Sequence, residues 1–185
     1  MWLALLVLVA TPAMAASAGT DSSPMPFGPW TFGMTKDQVT AITDHGPYKS
    51  FSNGDLETYA GTFDGKPANV QFYFRDDKVV RMEVLRYEGK SAKDAARAFG
   101  DTFGVLQSLY GAIETSQMAS PTPGKPMDAE GLVAASATQV DLHGKAQMAP
   151  VKQPPGAFVF STFRKDIVQG DVYFYVYVMY DPPQR

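Results

Sequence analysis

The two histidines are the residues of this chain best suited to acid–base catalysis or metal binding. His45 follows Asp44 at the end of a predicted helix, where the helix dipole favours an imidazolium ion in a structural role. His143 lies in the sequence DLHGK and has no neighbour at the spacing of a metal ligand. The carboxylates of Asp76 and Asp77 stand in a predicted turn, where aspartate commonly shapes the backbone. None of these residues is assigned a catalytic or metal-binding role.

Sequence motifs for covalent or cofactor-dependent chemistry are absent as well. The chain has no cysteine, which excludes a thiol nucleophile, a thiolate metal site and disulfide bonds. It contains no G-x-S-x-G nucleophile motif, no glycine-rich phosphate loop and no H-E-x-x-H zinc motif. We therefore expect a protein that is not an enzyme and that uses no metal or cofactor. Two carboxylates that meet only in the folded chain would leave no motif, so an enzyme stays an alternative.

Tyrosine and arginine side chains offer a different chemistry, the binding of another protein. They are enriched in protein interfaces because they combine contact area with hydrogen bonding. If the predicted strands join one sheet, their alternation brings a set of these residues to the face opposite the helices. The candidate partner-binding residues are Tyr73, Arg75, Arg81, Tyr87, Tyr173, Tyr175 and Tyr177. The alternative is that residues 112–156 fold over this face and bury it.

The elements that must position these side chains are strands with a regular alternation of apolar residues. Two successive strands each have one apolar side, with Val70, Phe72 and Phe74 in the first and Val80, Met82 and Val84 in the second. Short turns join these strands, which predicts an antiparallel meander. The last strand is apolar or aromatic on both sides and is therefore expected at the centre of the sheet. The predicted strands are Leu56–Phe63, Ala68–Arg75, Val79–Tyr87, Ala157–Lys165 and Asp171–Tyr180.

Two helices are predicted to cover the apolar side of this sheet. The first, about residues 36–45, has Thr35 and Gln38 at the positions of a capping box. The second begins at Ser91 and carries an apolar stripe at helical spacing. The expected fold is therefore α+β: an antiparallel sheet of about five strands with two helices on one face. The predicted order of the elements is α-β-β-β-α-excursion-β-β.

The chain is predicted to divide into three parts. Residues 1–15 have the features of a signal peptide, because an apolar run ends in the small-residue cleavage pattern Ala13-Met14-Ala15. Residues 16–30 are small, polar and rich in proline, and they predict a flexible leader that becomes ordered near Phe27 and Trp30. Residues 31–185 are expected to form a single α+β domain. Its long excursion at residues 112–156 is rich in proline, serine, alanine and glycine.

The signal peptide predicts export, most simply to a bacterial periplasm, with cleavage near Ala15 or Ala18. Its first residues lack lysine and arginine, so a buried N-terminal strand is the alternative. The apolar run is shorter than the ~20 residues that a membrane-spanning helix needs. Because the chain has no cysteine, we expect no lipid anchor either.

The charge pattern narrows the range of partners. The chain carries 16 lysines and arginines against 19 aspartates and glutamates, and the net charge is −3. Basic residues form no cluster that could neutralise a row of phosphates, which argues against nucleic acid and against an anionic lipid surface. The expected partner is another protein of the envelope.

Residues Phe32–Val39, with the sequence FGMTKDQV, are followed by Gly46-Pro47. This pattern resembles the SmpA/OmlA family, small outer-membrane lipoproteins attached to the β-barrel assembly machine, and more widely folds like that of the β-lactamase inhibitor protein. Both groups use G-M-[ST]-x-x-x-V on a short helix, then a stop and a meander. The likeness covers about residues 32–87 and implies a fold of this type. This chain has neither the cysteine of those lipoproteins nor the disulfides of the inhibitors, so no functional residue is carried over.

Together these patterns predict an exported bacterial envelope protein that acts as a non-catalytic binding or scaffolding module through its Tyr/Arg-rich sheet face. One alternative is an inhibitor or immunity-type protein that blocks an envelope hydrolase through the same face. The other is a small apolar-ligand binder, with its ligand held between the sheet and the excursion.

Overall fold

The structure, a computed structural model, describes residues 25–115, residue 118 and residues 120–183. The predicted signal peptide, residues 1–15, and residues 16–24 of the predicted leader lie outside the described residues. Within the described ranges, every helix is too short or too polar to cross a lipid bilayer.

A single eight-stranded sheet, in which every neighbouring pair of strands is antiparallel, forms the framework. Its spatial order is β1-β2-β3-β4-β8-β7-β6-β5, so the last strand is central, as predicted. The strands are β1 Tyr48–Ser50, β2 Leu56–Phe63, β3 Lys66–Arg75, β4 Lys78–Gly89, β5 Ile113–Glu114, β6 Lys145–Pro150, β7 Phe158–Val168 and β8 Asp171–Asp181.

Among the described residues, three α-helices accompany the sheet: α1 Lys36–Thr40, α2 Ala92–Tyr110 and α3 Ala129–His143. The predicted capping box of α1 is confirmed, because the Thr35 hydroxyl accepts from the amide of Gln38 at 3.2 Å and the Gln38 side chain accepts from the amide of Thr35 at 2.8 Å. This helix ends earlier than expected, and a 3-10 helix at Thr43–His45 follows it. Ser91 caps α2 as predicted, by accepting from the amide of Asp94.

The predicted element count is wrong, although the broad α+β class is right. The sheet has eight strands instead of about five, and three α-helices accompany it instead of two. Most of the difference comes from residues 112–156, which form β5, α3 and β6 instead of an irregular excursion. Helix α3 was not counted among the predicted helices, because its alanine-rich sequence has only a weak helical pattern without a strong apolar stripe. β1 and β5 have only three and two residues, too few for a recognisable alternation.

All three helices pack against one side of the sheet, which we call the covered face. From α2, Phe99 packs on Phe163 with their ring centroids 5.9 Å apart, and the Tyr110 hydroxyl lies 3.3 Å from that of Tyr180. At the other half of the sheet, Trp30 meets the ring of Phe72 edge-on at 4.9 Å. Trp30 is completely buried, so the last residues of the predicted leader belong to the core.

Helix α3 lies beside α2 and not across the opposite side of the sheet. A Cβ atom on Gly100 of α2 would come within 2.5 Å of the Val133 side chain and 3.0 Å of the Ala129 carbonyl oxygen, so the two helices touch there. β5 and β6 extend the far edge of the sheet. Residues 112–156, as far as the structure describes them, thus add to the helix layer and to the edge. We call the other side of the sheet, on which no described helix packs, the open face.

Candidate functional site on the open face of the sheet

Three tyrosines at alternate positions of the central strand β8 form a row on the open face, the tyrosine ladder: Tyr173, Tyr175 and Tyr177. The first two rings stack with centroids 6.3 Å apart, and the next two are nearly parallel at 5.9 Å. Arg164 pairs with Tyr175 across the β7–β8 ladder. Its guanidinium carbon lies 5.6 Å from the ring centroid of Tyr175 and 5.5 Å from that of Tyr177, within the range of a cation–π contact. Arg164 therefore contacts two of the three tyrosines of the ladder.

The ladder becomes more buried towards the centre of the sheet. Tyr173 and Tyr175 are half-buried, whereas Tyr177 is only 8% exposed. Burial raises the pKa of the Tyr177 phenol above its ordinary value. Tyr173 and Tyr175 offer contact area to a partner, and the more buried Tyr177 stacks against the ring of Tyr175.

A chain of side-chain hydrogen bonds crosses β2, β3 and β4 beside the ladder. The Asn69 amide donates to the Glu57 carboxylate at 2.9 Å, and the Gln71 amide donates to Asn69 at 3.2 Å. The Tyr73 hydroxyl lies 3.0 Å from the Gln71 amide oxygen and 2.9 Å from the carboxyl of Glu83. This part of the open face therefore presents a continuous polar network.

The Tyr73 phenol links the buried carboxyl of Glu83 to the amide chain of β3. It has one proton and two acceptors within 3.0 Å, so it cannot donate to both at once. Glu83 is only 4% exposed, and burial raises the pKa of its carboxyl against the opposing effects of Tyr73 and Arg81. The Arg81 guanidinium lies 4.0 Å from this carboxyl.

The two predicted arginines lie at one end of this network. Arg81 is cross-strand to Tyr73 and forms a bidentate pair with Asp181 at 2.6 and 2.7 Å. Arg75 is exposed on the hairpin between β3 and β4. Both line a shallow depression of about 580 Å³, whose wall also includes Asp55. Arg81 is therefore held by an internal partner, whereas Arg75 points into solvent.

Tyr87 does not lie on the open face, so its predicted placement is wrong. A β-bulge interrupts the register between Leu85 and Tyr87, and Tyr87 pairs with the fully buried Val176. Directly paired residues of antiparallel strands share a side, so the Tyr87 ring turns to the covered face. There its hydroxyl accepts a hydrogen bond from the amide of Ser91, just before α2.

A second β-bulge corrects the predicted apolar row of β4. The pairs Tyr73–Arg81 and Phe74–Val79 leave Val80 without a partner. Val79 is consequently buried at 2% exposure, and Val80 lines the depression on the open side instead. Alternation alone cannot reveal a bulge, since the extra residue shifts every position before or after it.

Two aromatic residues and one arginine of β7 on the open face were not among the predicted partner-binding residues. Phe158, Phe160 and Arg164 alternate along β7 and face the same side as the tyrosine ladder. The Arg81 guanidinium lies 6.0 Å from the ring of Phe160. The alternation of β7 was available as a signal, but only the strand register shows which of its sides adjoins the tyrosines.

The histidine geometry fits the structural role that the sequence suggested for His45. Its Nδ1 atom is 2.9 Å from the carbonyl oxygen of Ala60, and its ring meets that of Trp30 at 4.9 Å. His143 is the last residue of α3. In the described part of the chain, no three or more histidine, aspartate or glutamate side chains come together as metal ligands would.

Compared with models of known protein families, with curated proteins and with solved structures, the chain has no match. The resemblance of residues 32–87 to the SmpA/OmlA family therefore stays a prediction.

Proposed function

We propose that this protein is a non-catalytic binding or scaffolding module of a bacterial envelope, and that it binds another protein through the open face. The observation that carries the proposal is the tyrosine ladder held by Arg164, on a side of the sheet where no described helix packs. Tyrosine and arginine provide contact area and hydrogen bonds with few rotatable bonds to immobilise. Export to the periplasm is part of the same proposal and rests on the signal-peptide pattern.

The balance of charge on this face favours a protein partner. Three basic residues of this face have a nearby carboxylate: Arg81 at 2.6 Å from Asp181, Arg164 at 2.9 Å from Asp166 and Lys90 at 2.8 Å from Asp171. Such paired charges leave little excess positive potential for phosphates. They are typical of the polar rim of a protein interface.

The edges of the sheet are less suited to binding a partner than the open face is. The terminal strands β1 and β5 have three and two residues, and short edge strands discourage pairing with a further strand. A partner is therefore expected to contact side chains of the open face and not to extend the sheet.

Site-specific photo-crosslinking tests this proposal. A photoreactive amino acid replaces Tyr175 on the open face, and in a matched control it replaces Gln107, an exposed residue of α2. We expect Tyr175 to label one discrete envelope protein and Gln107 to leave it unlabelled. Tyr173→Ala in the Tyr175-labelled protein should reduce the adduct, because it removes a neighbouring rung without breaking the Arg81–Asp181 pair.

The outcomes of this experiment separate the candidate functions. A cell-wall or outer-membrane assembly component as the labelled protein supports scaffolding. A single hydrolase whose activity falls on binding supports the inhibitor alternative instead. Equal labelling from Gln107, or no labelling from Tyr175, would rule out the open face as the binding surface.

A further inference from the structure

A second candidate site lies on the covered face, in a groove between the β2–β3 hairpin and α2. The groove has a volume of about 510 Å³. Asp64 and Lys66 of the hairpin form one wall, Gly104 and Ser108 of α2 form the other, and Arg86 of β4 lies between them. The sheet separates this groove from the open face, so the two sites are independent.

Arg86 continues the row of Met82 and Val84, which are both fully buried on the covered face. An arginine in an otherwise apolar row is a sequence signal of a partly buried cation. Its guanidinium carbon lies 5.0 Å from the ring centroid of Phe63, and its Nε atom is 3.4 Å from the hydroxyl of Thr102 in α2. These contacts fix the stem and one edge of the guanidinium group.

The two Nη atoms of Arg86 are free to bind a ligand. Among the described residues, no carboxylate oxygen lies within 4.0 Å of the Arg86 nitrogens, and Nε makes the only hydrogen bond of the side chain. In the same part of the chain, no buried side-chain nitrogen or oxygen lacks a partner. Since Arg86 is half-buried, its Nη atoms must therefore be reached from the groove. They form a fork that fits a carboxylate.

Gly104 keeps the helical wall of the groove open. A Cβ atom on this residue would meet no other atom within 4 Å, in contrast to Gly100 one turn earlier, where close packing on α3 excludes a side chain. Glycine inside a helix is less stable than alanine, so a packing reason is expected for it. Among the described residues, nothing packs against Gly104 that would exclude a side chain. Its missing side chain instead leaves room beside Arg86.

The charges around the groove define the ligand. Asp64 and Asp101 act on Arg86 electrostatically from beyond salt-bridge distance, and Lys66 adds a second cation at the rim. Two flanking carboxylates disfavour a simple anion and favour a molecule that also carries an ammonium group. We propose that the groove binds a small zwitterion of the amino-acid type, with its carboxylate on the Arg86 fork and its ammonium group towards Asp64 or Asp101.

Titration of the folded protein with L-alanine, followed by amide chemical shifts in NMR, tests this assignment. We expect saturable shifts at Gly100, Asp101, Gly104 and Ser108, with a dissociation constant of about 1 mM, as is usual for so small a ligand. Arg86→Gln and Gly104→Leu should each weaken binding about tenfold or more. Arg97→Gln makes the same change as Arg86→Gln at an exposed position outside the groove, and Gln107→Leu places a leucine on the exposed side of α2; both should leave binding unchanged.

Single-charge analogues complete the test. Acetate and ethylammonium should each bind at least about tenfold more weakly than L-alanine, because each lacks one of the two contacts. If Arg86→Gln does not fold, Arg86→Lys keeps the charge without the fork and should still lose affinity. The proposal is overturned if L-alanine gives no saturable shifts, if the Arg86 variant that folds binds like the wild type, or if acetate binds as well as L-alanine. None of these results bears on protein binding at the open face.

Discussion

The contact between α2 and α3 decides which side of the sheet is open, and two glycines of α2 allow it to be tested. Gly100 and Gly104 are both inside the helix and are one turn apart. At Gly100 a Cβ atom would lie 2.5 Å from Val133 Cγ2 and 3.0 Å from the Ala129 carbonyl oxygen, whereas at Gly104 it would meet nothing within 4 Å. The same substitution, glycine to alanine, should therefore have opposite effects at the two positions.

The magnitudes follow from two opposing terms. Alanine gains about 1 kcal/mol over glycine in a helix interior, at either position. At Gly100 the added methyl group also forces Val133 or the α3 backbone to move, and overpacking of this kind costs about 1–3 kcal/mol. Gly104→Ala should thus gain up to about 1 kcal/mol in the free energy of unfolding, and Gly100→Ala should range from neutral to a loss of about 2 kcal/mol.

Urea unfolding of both variants measures this difference. Helix propensity and the entropy of the unfolded chain are common to the two variants and cancel when they are compared. Their separation of about 1–3 kcal/mol corresponds to a midpoint difference of roughly 0.5–1.5 M urea. Adding Val133→Ala to Gly100→Ala removes the closer of the two contacts, so the double variant should recover part of the loss.

A Gly100→Ala variant as stable as Gly104→Ala would refute the reasoning. It would mean that α3 does not rest against α2 at this point. Residues 112–156 would then not be held beside α2, and they could cover the tyrosine face instead.

Two further predictions concern the polar network and the core. Burial raises the pKa of Glu83 above its unfolded value, so this group stabilises the fold at low pH and loses that contribution as the pH rises through its folded pKa. Glu83→Gln, which cannot ionise, should therefore be more stable relative to the wild type at about pH 7 than at about pH 4 in denaturant titrations, and the reverse order would contradict a raised pKa at Glu83. Trp30→Ala should cost about 3–5 kcal/mol in thermal unfolding, since Trp30 is fully buried against Phe72 and His45. A cost below about 1 kcal/mol would place Trp30 outside the core.

Features that depend on neighbouring residues could be predicted from the sequence. The capping box at Thr35 and Gln38 and the cap at Ser91 are both present, because a cap involves a few consecutive residues. The apolar row at Met82 and Val84 is buried as expected for the same reason. The central position of β8 followed from its two apolar sides, which an edge strand could not expose.

Features that depend on register could not be predicted in this way. The bulges that turn Tyr87 to the covered face and leave Val80 unpaired are properties of a strand pair. The same holds for the approach of Arg164 to the tyrosine ladder, because it requires β7 to pair with β8 at one particular offset. Residue types therefore predicted a tyrosine- and arginine-rich sheet face. Which residues belong to that face is decided by the pairing of the strands.

Each candidate site contains an ionisable side chain that the fold buries, Glu83 almost completely and Arg86 about half. On the open face, Glu83 has partners within the protein, since it is hydrogen-bonded to Tyr73 and lies 4.0 Å from Arg81. Arg86 has no such network on the covered face, and its Nη atoms meet only the groove. Because burying an arginine without a counter-ion is costly, the chain itself supplies a reason to expect an acidic group from outside at Arg86 and none at Glu83.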